Sequence, residues 1–163
     1  MQNSPLKFEV EDEERPRLLQ ILTFNRIAIV EEKMNWMDSI YLAGEPLIRA
    51  GSILEKYLDA IISQTMYYGP YMFLNDAIML AHAKPQDGVN RLDLSLTIFK
   101  QPIEFSGSRA AKMIIMLCAE DNERHLGIMN DILKMCGDER TIERLISADE
   151  PDYILDKLQS ILN

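Results

Sequence analysis

Only two histidines occur in these 163 residues, His82 and His125. A neutral imidazole offers one lone pair and one N–H, so it serves as a nucleophile, a proton carrier or a metal ligand. His82 stands in IMLAHAKPQDGV, where a short apolar run gives way to a segment punctuated by Pro85 and Gly88. That pattern predicts a strand ending in a loop, with the ring held on one side and open on the other. Such an edge suits a nucleophile or a ligand, and it suits an ordinary surface histidine as well.

His125 carries more information. On a helix starting near Asn122, residues His125, Met129, Ile132 and Cys136 fall at i, i+4, i+7 and i+11. The imidazole therefore lies on the apolar, inward face. A core histidine bonded to one backbone carbonyl satisfies that placement. The alternative uses its position in the first helical turn, where unpaired N–H groups and the macrodipole favour an anion. There His125 would face the sheet that carries His82 and donate to a group bound on it.

Other chemistries have no matching pattern. HExxH, CxxC and GxSxG spacings are absent, as is a glycine-rich phosphate loop, and no metal or cofactor is called for. Cys118 and Cys136 sit inside apolar runs and read as buried thiols. The ten methionines are scattered and read as core filler, and Tyr67-Tyr68 before Gly69 could rim a site or pack a helix end.

The elements that must position these residues follow from periodicity. RIAIV (26–30) reads as a strand. Trp36, Ile40, Ala43 and Leu47 recur at helical spacing, with Asn35 as cap, Gly51 as stop and Pro46 expected to bend or interrupt the helix. A second helix carries Leu54, Tyr57, Leu58, Ile61 and Ile62 and ends at Gly69-Pro70. Segments 71–74, 78–80, 92–99 and 113–119 read as further strands, about five in all. Asp121-Asn122 is expected to open a helix reaching about Gly137, and two shorter helices close the chain. The fold class expected is α/β: a single-domain layered sandwich with a central mixed sheet flanked by helices.

Residues 1–16 are polar and read as a tail or linker, leaving 17–163 as the domain. No apolar run approaches the ~20 residues that cross a bilayer, and the acidic N-terminus lacks a leader's apolar core. A cytoplasmic protein without direct membrane insertion is expected. The formal net charge of −9 disfavours nucleic acid as a direct ligand and suits a partner with a basic patch.

With these residues in view, YYGPYMFLNDAIMLAHAKPQDGV resembles the active-site segment of mannitol/fructose-type enzyme IIA domains of the bacterial phosphoenolpyruvate-dependent sugar phosphotransferase system. Members of that family read G-P-Y, an apolar strand, A-P-G, then I-A-L-P-H-A-R-P-E-D-G-V. AEDNERHLGIMNDILKMCGD is similar to the family's D/N-x-x-H-L segment. The helices at NWMDSIYLAGEPLIRAGSILEKYLDAII and ISADEPDYILDKLQSIL extend the likeness from about residue 18 to the end. The G-P-Y segment and the length look closest to the ascorbate/galactitol-like branch.

The resemblance implies a phosphocarrier. His82 would take a phosphoryl group on Nε2 from the histidine-containing phosphocarrier protein and pass it to a cysteine of enzyme IIB. His125 would grip the phosphate, and backbone N–H groups of the loop or helix start would take its other oxygens. Similar domains also occur in sugar-operon transcription regulators, where phosphorylation is a signal, and a domain that binds a partner without carrying phosphate is a third expectation. The chain departs from the family where Asn75-Asp76-Ala77 replace A-P-G, Ala81 the proline, Lys84 the arginine and Gln86 the glutamate. Ala81 leaves His82 less rigidly preset, and Asp76 is expected to add negative charge near it.

Overall fold

Alternation along β4 sends Met113, Ile115 and Leu117 to one face and Ile114, Met116 and Cys118 to the other, and all six are buried. A strand buried on both faces belongs in the middle of three layers. The computed structural model of the chain, which describes residues 15–163, has that arrangement. Residues 1–14 of the expected tail lie outside the described residues. In chain order the elements are α1 (Leu18–Ile21), β1 (Ile27–Val30), α2 (Trp36–Arg49), α3 (Glu55–Tyr68) and β2 (Ile78–Ala81). They continue with β3 (Asp93–Phe105), β4 (Arg109–Cys118), α4 (Leu126–Cys136), α5 (Glu139–Ile146) and α6 (Pro151–Leu162).

The strands form one mixed sheet ordered β1-β3-β4-β2. β3 and β4 are an antiparallel hairpin, and β1 and β2 add parallel to them at the two edges. Leu18, Ile128, Ile132, Leu145 and Ile154 from α1, α4, α5 and α6 close one face over Leu94 and Ile115. Ile40, Leu47, Tyr57 and Ile61 from α2 and α3 close the other over Ile114 and Met116. Each fully buried aliphatic side chain contributes about 1.5–3 kcal/mol, so the two cores together hold the sheet rigid between its helices.

The described residues form four strands where about five were expected. Segment 71–74 makes a single antiparallel bridge, Phe73 to Met79. Gly69 at φ 78° and Pro70 bring the chain out of α3, and the Asn75 side chain then turns it into β2 by accepting from Ala77 N–H and Ile78 N–H. Too little backbone lies between those turns for a ladder. The segment instead covers the outer edge of β2, through Leu80 N–H to Met72 O and Leu74 N–H to Ile78 O. α2 runs through Pro46 without interruption, capped by Asn35 accepting from Asp38 N–H. Pro46 sits three residues from the helix end, where it forfeits one bond and breaks nothing downstream.

Candidate functional site

β2 and β4 are parallel neighbours, with Ala81 paired to Met116, so both strands deliver their carboxyl ends to one rim of the sheet. His82 is the first residue beyond β2 and is exposed. Its Nδ1 lies 2.8 Å from Leu80 O. A carbonyl only accepts, so Nδ1 carries the proton and the lone pair of the neutral ring sits on Nε2. The bond reaches back two residues into a buried strand, which aims the ring without the proline that the family has before it.

Tyr57 of α3 ties the His82 segment to β4. Its buried hydroxyl accepts from Ala83 N–H at 2.9 Å and donates to Leu117 O at 2.6 Å. Burial pushes that phenol's pKa up, so it stays a donor. Beyond it, Lys84 N–H donates to Asp87 across a tight turn at Pro85–Asp87. Gly88 follows at φ 122° and accepts Leu54 N–H, and a Cβ there would come within 3.0 Å of the Lys56 side chain. Only glycine fits that backbone against α3.

On the β4 side the helix starts four residues later than expected. Asp121 Oδ1 accepts from both Glu123 N–H and Arg124 N–H at 2.9 Å, making a side-chain turn in place of the first helical turn. The Arg124 and Glu123 N–H groups hold the Asp121 carboxyl below the usual carboxylate range. His125 is consequently the residue that caps α4, its carbonyl accepting Met129 N–H. Its Nδ1 is buried with no hydrogen-bond partner. A buried N–H without an acceptor is the rarer and costlier orphan, so the proton of the neutral ring belongs on Nε2.

α4 is anchored from behind. Asp131 on its buried side accepts from Arg17 Nε at 2.9 Å and Leu18 N–H at 3.0 Å. Pro16 O lies so close to Gly127 that a Cβ there would sit 2.6 Å from it.

His82 and His125 line one cavity of about 210 Å³ with Tyr57, Pro85, Asp121 and Asn122. That is below the ~300–1,000 Å³ of pockets that enclose small organic molecules. It suits a small polar group presented from outside, with one imidazole that offers a lone pair and one that offers an N–H in its lining. Four of the backbone donors of the loop and helix start have partners of their own: Ala83 N–H with Tyr57, Lys84 N–H with Asp87, Glu123 and Arg124 N–H with Asp121. Asp76 is at the opposite end of β2, paired with Arg109, so the carboxylate beside the site is Asp121. Tyr67 and Tyr68 are exposed at the far end of α3, Tyr67 edge-on to Tyr68 and Tyr68 edge-on to Tyr71, and none of the three lines the cavity.

The sequence singles out both histidines, and the structure sets Tyr57 and Asp121 beside them in the cavity. Tyr57 was visible only as an inward position on a helix, where any large apolar residue fits the pattern. Asp121 reads in the sequence as a helix opener. Cys118 is buried and Cys136 half-buried, and burial raises their thiol pKa values to about 12 and about 11. Among the described residues no helix is long and apolar enough to cross a membrane.

The family model described as "Phosphoenolpyruvate-dependent sugar phosphotransferase system, EIIA 2" matches residues 20–161. The mannitol-specific cryptic phosphotransferase enzyme IIA component of Escherichia coli (strain K12) is 27% identical over 141 residues, covering 86% of this chain and 96% of that one. The ascorbate-specific PTS system EIIA component of Salmonella typhi is 26% identical over 136 residues, covering 81% and 88%. The solution structure of the mannitol-specific cryptic enzyme IIA from Escherichia coli superposes with a TM-score of 0.82 at 26% identity, covering 89% of this chain and 99% of that one.

Proposed function

Since the chain belongs to the phosphoenolpyruvate-dependent sugar phosphotransferase system EIIA 2 family, we propose that residues 17–163 are a cytoplasmic phosphocarrier acting through His82. The observation that carries this reading is the pair of rings in one small cavity, His82 with its lone pair on Nε2 and His125 with its N–H on Nε2.

His82 Nε2 attacks the phosphorus of the phosphohistidine on the donor, the histidine-containing phosphocarrier protein. The donor's N–P bond breaks and its electron pair returns to the donor nitrogen. The His82 ring keeps its Nδ1–H on Leu80 O and takes on the positive charge that the donor ring loses, so no proton moves. His125 Nε2–H donates to a phosphoryl oxygen. In the second transfer an enzyme IIB cysteine thiolate forms the S–P bond, and the N–P electron pair returns to His82 Nε2. Positioning and electrostatics suffice for both steps.

The test is incubation with labelled phosphoenolpyruvate, enzyme I and the carrier protein. His82→Ala should take up no label, and His125→Ala should slow uptake by roughly a hundredfold, as loss of a preorganised donor does. Uptake by His82→Ala at the wild-type rate refutes the assignment.

A further inference from the structure

The cavity holds one group that the transfer does not require and that works against a bound phosphate. Asp121 lines it beside His125 and Asn122. The carboxylate is kept ionised by the N–H groups of Arg124 and Glu123, and it shares an electrostatic interaction with His125. The Arg124 guanidinium also acts on the carboxylate, but it is shared with Glu120 at 3.8 Å and so offsets it only in part. Four backbone N–H groups near it are bonded within the loops, two of them to Asp121 itself.

We propose that Asp121 sets how readily the phosphoryl group leaves His82. The inference rests on the phosphocarrier reading above. Transfer to His82 forms the Nε2–P bond and breaks the donor's N–P bond, and it brings net negative charge into a cavity already holding one carboxylate. Like charges in one small cavity repel, so the phosphorylated form is raised relative to the empty one. The exchange with the donor is pulled back, and the onward transfer to a thiolate is pushed forward. A strongly gripping cavity would trap the group, and Asp121 keeps the grip of His125 from doing so. Asp121 acts on the phosphoryl group through its charge, while its Oδ1 holds the turn before α4, so it is a tuning and positioning residue.

The side chain's two roles separate cleanly in Asp121→Asn, which keeps Oδ1 to accept from Glu123 and Arg124 and removes only the charge. The readout is the equilibrium ratio of label on this chain to label on the carrier protein, measured in the full chain at low and high salt. Asp121→Asn should raise that ratio roughly two- to fivefold at low ionic strength, with the gain shrinking as salt screens the carboxylate. Glu123→Gln, outside the cavity, should leave it unchanged. A ratio equal to wild type at low salt overturns the inference, as does a shift that salt does not alter, which would mark a structural effect. A wild-type chain that takes no label overturns the carrier reading and this inference together, whereas labelled wild type with an unshifted Asp121→Asn overturns this inference alone.

Discussion

At the scale of single residues the site reduces to which nitrogen holds a proton. Leu80 O assigns the proton of His82 to Nδ1, and the orphaned Nδ1 of His125 assigns that ring's proton to Nε2. Long-range ¹⁵N–¹H spectra at a pH where both rings are neutral should therefore show opposite tautomers at the two positions. Under the phosphocarrier reading, the same assignment makes His125 Nε2–H the donor to the phosphoryl group. His125→Gln, which retains an N–H of similar reach, should recover part of the transfer rate that His125→Ala loses, in the labelling assay. Equal rates for the two variants would remove the donor role.

At the scale of elements, the geometry of the site depends on two strand ends and the hydroxyl between them. Tyr57→Phe leaves Ala83 N–H and Leu117 O without their partner. Urea unfolding should show a loss of about 1–3 kcal/mol, and label uptake should slow as the His82 segment loosens. The sequence revealed elements where burial imposed a period, as in Trp36–Leu47 and 113–118. It hid them where burial stops: β3 runs on to Phe105 through Lys100, Gln101 and Pro102, which are polar or turn-forming and carry no alternation. The order of the two histidine segments was legible because each borders an apolar run. The Asp121 turn was not, since an aspartate before a helix reads equally as a cap and as a turn of its own.

At the scale of the molecule, the thiols report the packing. In the folded chain burial lifts Cys118 from about 9 to about 12 and Cys136 to about 11. Between those limits the unfolded chain has lost thiol protons that the folded chain keeps. Since folded-state proton binding exceeds unfolded, stability must fall as pH rises through this window. The urea midpoint should be lower at pH 10 than at pH 8, and Cys118→Ala should flatten the slope. An unchanged midpoint in the wild-type chain would contradict the burial of both sulfurs.

The fastening of α4 separates the histidines in another sense. His82 is aimed by a bond that closes within three consecutive residues, whereas the helix behind His125 is braced by Arg17 and Leu18, 114 and 113 positions away from Asp131 in the chain. If the two rings act as proposed, the receiving nitrogen and the gripping one are thus fastened independently. On that reading, drift at the N-terminal brace would alter how tightly cargo is held while the point of attack keeps its bearing.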